Sequence, residues 1–216
     1  MALTRLNTNA YGATVDLTSN VTGTLPAGNG GTATTSYNPA SLVKIAETNI
    51  TSNTASTEFT GLSATYKTYA VFISRLVPQS ADQVFKCQMR DASDGAYETA
   101  DYAFTTSALD NGGTARNDYS TSAAHIGLLG GGDGMGDGSG EYGTSCVVYL
   151  NDFYDSGMPP SVYGNGTYSK ESGYNACNYY SGTYRDTSIE MEGIKFFFLS
   201  GDIAQGNFRL YGVVDA

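Results

Sequence analysis

The segment Gly130-Gly131-Gly132-Asp133-Gly134-Met135-Gly136-Asp137-Gly138-Ser139-Gly140-Glu141 holds the residues best placed to do chemistry. Glycine lets the backbone curl tightly, so Asp133, Asp137 and Glu141 could turn their oxygens toward one hard cation such as calcium. The order of residues departs from an EF-hand loop and from a tandem nonapeptide array. The competing reading is a long surface loop kept soluble by its acids. No other cofactor is expected. His125 is the sole histidine, so a Ser/His/Asp triad would have to use it. No G-x-S-x-G elbow leads into a helix, and His125 beside Ile126 and Leu128 reads as structural. Asp152 with Asp155, or Glu190 with Glu192, could supply the two carboxylates of a glycosidase, but such neighbours occur on any acidic surface. The glycine run contains no basic residue, unlike a phosphate-cradling loop with its lysine. The chain is expected not to be an enzyme.

Tyrosine and asparagine suggest recognition instead. Tyrosine offers a large rigid face with a polar tip, and asparagine adapts its hydrogen bonds. The second half of the chain is rich in both, and sugar rings have apolar faces and hydroxyl rims. Tyr163, Tyr168, Tyr174, Tyr179 and Tyr180, with Asn165 and Asn178 among them, are therefore candidate receptor or glycan contacts. The alternative is that such tyrosines fill a core or line contacts between protomers.

What could position these groups is β structure. The 216 residues include 27 glycines and 17 tyrosines, with heavy use of Ser, Thr and Asn and few Leu and Lys. Strands are expected at Leu42 to Ala46, Thr54 to Thr60, Tyr66 to Ser74, Phe85 to Arg90, Tyr97 to Thr106, Cys146 to Leu150, Ser161 to Tyr168, Tyr174 to Tyr184, Ile194 to Leu199 and Asn207 to Val214. Tyr66 to Ser74 and Phe85 to Arg90 look like an antiparallel hairpin across the turn Pro78 to Asp82. Cys146 to Leu150, apolar on both faces, looks like a central strand between two layers. No helix longer than about two turns is visible in the 3.6-residue pattern. About ten strands at short spacing predict an all-β fold, an antiparallel two-sheet sandwich that is jelly-roll-like.

A formal charge of −10 with scattered basic residues speaks against nucleic-acid binding. No apolar run approaches the ~20 residues of a membrane-spanning helix, so no membrane insertion is expected. Cys87, Cys146 and Cys177 are too widely spaced for a metal site. Cys87 and Cys146 read as buried free thiols of a protein made in a reducing cytoplasm. The start, Met1-Ala2-Leu3-Thr4-Arg5, lacks the pattern of a secretory leader.

Residues 1–40 read as an extended arm, separate from the sandwich expected over 41–216. Its apolar anchors are Leu3, Leu6, Leu17, Val21 and Leu25. Pro26 stiffens it, Gly28, Gly30 and Gly31 loosen it, and it buries too little to fold alone. Val21-Thr22-Gly23-Thr24-Leu25-Pro26 followed by Asn29-Gly30-Gly31-Thr32 resembles a linker of bacteriophage tail-fibre chains, with Ala33 where that pattern has glycine. Gly193-Ile194-Lys195-Phe196, and Ser200-Gly201-Asp202-Ile203 through Leu210-Tyr211-Gly212, are similar to an ending of marine-phage structural proteins, with Asp202 replacing asparagine. The resemblance implies a virion component, a homotrimer whose arm docks on tail or capsid proteins while the sandwich faces outward. It carries over no catalytic residue. The expected function is a tail fibre or tail appendage, made in the host cytoplasm, that engages a host-surface glycan or protein. A capsid decoration or cement protein is the alternative, and a glycan-cleaving tailspike a more distant one.

Overall fold

The structure, a computed structural model, describes residues 42–131, 134–137, 144–155, 157–170 and 173–214. Twelve strands follow one another among them: β1 (Leu42–Ile50), β2 (Ser56–Thr60), β3 (Thr68–Pro78), β4 (Phe85–Asp91), β5 (Tyr102–Asp110), β6 (Ala115–Ala123), β7 (Ile126–Leu129), β8 (Thr144–Asn151), β9 (Ser161–Ser169), β10 (Asn175–Tyr184), β11 (Met191–Phe198) and β12 (Ile203–Val213). All pairings are antiparallel, in an eight-stranded sheet β1-β12-β3-β8-β9-β10-β5-β6 and a four-stranded sheet β2-β11-β4-β7.

The fold is a β-sandwich of jelly-roll type, and the pairing shows why. β1 pairs with β12, β2 with β11, β3 with β8 and β4 with β7. That nested order is one long antiparallel ribbon rolled up, so that successive strand pairs alternate between two sheets. Two insertions break the ribbon. β5–β6 lies between β4 and β7, β9–β10 lies between β8 and β11, and both add to the free side of β8 to complete the eight-stranded sheet.

Alternation along each strand sends one set of side chains inward. In β12, Phe208 and Leu210 are buried while Asn207, Arg209 and Tyr211 are half-exposed. Phe85 of β4, Phe196 of β11 and Phe208 of β12 bridge the two sheets. The Phe85 and Phe196 rings stack 5.8 Å apart, and Phe208 lies 5.8 Å from Phe196. Under the inserted strands the filling changes. Ile126 of β7 sits against β10 at Gly182, where a Cβ would come within 2.8 Å of the isoleucine. Gly164 of β9 leaves room for Tyr180, whose hydroxyl would be 2.8 Å from a Cβ there. The glycines of β9 and β10 thus sit at close approaches, Gly182 to the opposite sheet and Gly164 to its own neighbouring strands, not in loops.

Two expectations are corrected. Tyr66 to Ser74 and Phe85 to Arg90 do not form a hairpin: β3 pairs with β12 and β8, β4 with β11 and β7, and the turn between them crosses from one sheet to the other. The strand at Cys146 to Leu150 is central within its sheet but not covered on both faces, since Val147 and Tyr149 look outward and are half-buried. Cys87 and Cys146 are buried free thiols, whereas Cys177 is exposed. Burial raises the Cys146 thiol to about 12 and that of Cys87 further still. Among the described residues no helix is long and apolar enough to cross a membrane.

Candidate functional site

The outer face of the eight-stranded sheet is an ordered grid, fixed by register. One row across the strands reads Asn207, Ser74, Ser145, Thr167, Cys177 and Leu109, from β12 through β3, β8, β9 and β10 to β5. The next reads Arg209, Phe72, Val147, Asn165, Tyr179, Ser107 and, on β6, Asn117. A third reads Tyr211, Ala70, Tyr149, Tyr163, Ser181, Thr105 and Tyr119.

Short side chains in the first row, beside bulkier ones in the second, leave a depression that runs across the strands. Its β12–β9 part encloses about 410 Å³ among Phe72, Ser74, Ser145, Asn165, Thr167 and Arg209. Its β9–β5 part encloses about 580 Å³ among Thr167, Tyr168, Asn175, Cys177, Leu109 and Asn111. The two meet at Thr167. The far end rests on a buried ion pair, Lys170 Nζ donating to Asp110 Oδ2 at 2.8 Å. That lysine, with the Thr114 and Gly112 amides, holds the Asp110 carboxyl below the usual carboxylate range.

Of the seven residues expected to make contact, the structure brings three together on this face. Tyr163 is 44% exposed, Tyr179 67%, and Asn165 stands between them on the neighbouring strand position. Tyr163 stacks on Tyr149, with centroids 5.1 Å apart and planes 21° from parallel. Tyr174 is also exposed, at the β9–β10 turn beside the groove's far end. Among the described residues no hydrogen bond engages the hydroxyls of Tyr163, Tyr179 and Thr167 or the Asn165 amide.

Tyr168, Tyr180 and Asn178 belong to the interior, with exposures of 1%, 4% and 1%. Parity along the strand puts them there. Tyr180 follows Tyr179 and so faces inward, its hydroxyl donating to the Val147 carbonyl at 2.6 Å, and burial pushes the phenol well up. Asn178 accepts from the Thr106 hydroxyl at 2.9 Å and donates to the Leu128 carbonyl, tying β10 to β5 and β7. Sequence reasoning missed Phe72, Ser74, Ser145, Val147, Thr167 and Tyr119. The outward positions of β8 and β9 could be read from alternation, but which rows align could not. β6 has one large side chain, Tyr119, amid small and polar residues, too little to mark it as a strand.

The calcium candidates are divided. Asp137 is half-buried, while Asp133 and Glu141 lie outside the described residues, as do Leu3, Leu6, Leu17, Val21 and Leu25 of the arm. Among the described residues no group of three or more His, Cys, Asp or Glu side chains could hold a metal ion.

The outer face of the four-stranded sheet has a different character. Arg90 pairs with Glu192, and the Tyr97 hydroxyl donates to Glu58. Lys195 Nζ lies 4.2 Å from the Tyr97 ring centroid and 5.4 Å from that of Phe197. Lys86 contacts Nε2 of His125, whose ring meets Phe197 edge-on. Burial, then the Lys86 charge, lowers the His125 pKa to about 4 against the partial opposition of Asp118, so the imidazole is neutral at pH 7 and accepts the lysine proton. With an ammonium on its Nε2 it has no free base for proton abstraction.

Comparison with models of known families, with characterised proteins and with solved structures finds no match to this chain.

Proposed function

We propose that this chain is a bacteriophage virion component, a tail fibre or tail appendage, that binds the host surface through the groove on its eight-stranded sheet. The observation that carries the reading is the outward grid itself. Asn165 and Thr167 line the depression, Tyr179 stands beside it in the second row and Tyr163 one row further out, and no described residue engages their hydrogen-bonding groups. Rigid strands fix these groups in advance, which lowers the ordering cost of binding. The linker-like run Val21 to Thr32 and the ending Gly193 to Gly212 support the virion setting. Residues 1–40 attach the chain to other virion proteins, and copies associate as a homotrimer. Leu42, Val43 and Ile45, exposed on the edge strand β1 directly after the arm, offer neighbouring copies an apolar contact. The protein binds its receptor without cleaving it.

The test is adsorption. Virions carrying Asn165→Ala with Tyr179→Ala should assemble normally and adsorb to host cells at least about tenfold more slowly, since such contacts each contribute on the order of 1 kcal/mol or more. Labelling of the chain by electron microscopy should mark the tail. Label over the shell, or unaltered adsorption by the double variant, would overturn the reading.

A further inference from the structure

From the chemistry of the groove we infer that its occupant is an uncharged polysaccharide lying across the strands, an inference that rests on the receptor-binding role proposed above. In the three rows, the positions from β3 to β6 carry only Ala, Val, Leu, Phe, Cys, Ser, Thr, Asn and Tyr. No Lys, Arg, His, Asp or Glu occupies them. In a chain of net charge −10, this is a large exposed area from which charge has been left out. Exposed strand positions ordinarily carry charged residues. An acidic glycan would find a single cation, Arg209 at the β12 margin, and would approach a negatively charged protein. A basic ligand would find one carboxylate, Asp110 at the far end, already buried in its ion pair with Lys170.

What the face offers is matched to hydroxyls. Serine, threonine and tyrosine each donate and accept, and the asparagine amide does both at once. A sugar ring presents hydroxyls that also do both, together with an apolar face suited to tyrosine. A protein partner would need buried aliphatic or arginine anchors at the centre of its footprint. The floor of the groove at Ser145 and Thr167 carries hydroxyls, and Phe72, Val147 and Arg209 stand at its margin toward β12.

The direction follows from the rows. With strands about 4.8 Å apart, the stretch from β3 to β5 spans roughly 19 Å. That length asks for an extended chain of several sugars, not a single one. Tyr179 flanks it in the second row, Tyr163 stands one row further out, and Tyr174 stands at the end near Asn175.

The experiment titrates the full chain with neutral polysaccharides (dextran, mannan, galactan) and acidic ones (alginate, hyaluronan), from about 0.01 M to about 1 M salt. A neutral polymer should bind with affinity changing less than about twofold over that range, because no ion pair is screened. Asn165→Asp, which can no longer donate, and Asn165→Lys, which can no longer accept, should each weaken it at least about tenfold. Glu58→Gln on the other sheet should change nothing, and thermal melts of all three variants report folding. Preference for an acidic polymer with steep salt dependence would overturn this inference and leave receptor binding standing. So would a failure to bind any polysaccharide while Asn165→Ala/Tyr179→Ala virions still lose adsorption, since the occupant would then be a protein. If those virions adsorb normally, the receptor-binding role itself fails.

Discussion

The two outward faces of the sandwich are built on the same pleated geometry, yet they use their polar groups in opposite ways. On the four-stranded sheet the polar side chains satisfy each other: Arg90 with Glu192, Tyr97 with Glu58, Lys195 over Tyr97, Lys86 with His125. On the eight-stranded sheet, Tyr163, Asn165, Thr167 and Tyr179 find no such partner among the described residues. Groups that pair internally have little left for a ligand, because binding would first have to break the existing contact. Open groups on rigid strands start from the geometry they need. The difference separates a face that contributes to the fold from one that is free to recognise.

The largest effects should come from beneath both faces at once. Phe196→Ala removes the ring that joins β11 to Phe85 and Phe208, at a cost of about 3–5 kcal/mol in chemical denaturation. Neither face should survive selectively. A variant that kept a stable groove while losing the four-stranded face would show that the two are separate folding units and break the comparison at its root. Gly182→Val should act more locally. Its new Cβ would meet the fully buried Ile126 at 2.8 Å, costing about 1–3 kcal/mol and displacing β10, with Tyr179 and Ser181 on it. Binding to the groove should fall with it, while the Arg90–Glu192 pair on the other sheet stays formed. Retained affinity would mean that the position of β10 does not matter to the ligand.

How much of this was legible beforehand depends on the kind of signal. The sandwich followed from alternation and turn residues, and strands such as β3, β8 and β11 announced themselves through β-branched and aromatic runs. β6 and β7 did not. The first, Ala-Arg-Asn-Asp-Tyr-Ser-Thr-Ser-Ala, is a polar edge strand, and the second is four residues long. The crossing between β3 and β4 was read as a hairpin because a short turn between two strands usually makes one, and only the long-range pairing with β12, β8, β11 and β7 decides otherwise. The groove was the least legible part. Tyr179 and Tyr180 are chemically identical neighbours, and only strand parity puts one in water and the other under Val147. The groove floor joins Ser74, Ser145, Thr167 and Cys177, residues far apart in sequence that meet through register alone.

Acid should separate the faces further. His125 titrates near 6.5 when unfolded and near 4 when folded, depressed by burial and by Lys86. Between those values the unfolded chain binds a proton that the folded chain refuses. The contribution is therefore complete above about pH 6.5, declines as the pH falls toward about 4, and changes no further below that. His125→Gln should flatten this part of the curve of melting temperature against pH. The lowered Asp110 carboxyl adds a loss at lower pH, as its ion pair with Lys170 is protonated away. Glycan binding at the groove should stay constant over the His125 window wherever the protein is folded, since no acid-titrating side chain projects from its rows between β3 and β6. A binding curve that tracked the His125 transition would place part of the recognition surface on the four-stranded sheet.

The smallest effect is the most direct check on that sheet. Glu192→Gln keeps the shape of the side chain and removes its charge opposite Arg90, which retains its bond to the Gly95 carbonyl at 2.8 Å. A partly exposed pair of this kind contributes about 0.2–1 kcal/mol, so denaturation should shift by no more than that. Host adsorption and glycan affinity should not move at all. If they dropped instead, a residue already satisfied within the fold would prove to be part of the receptor contact. Internal pairing would then no longer distinguish the supporting face from the recognising one, and the groove's open hydroxyls would lose their claim to be the site.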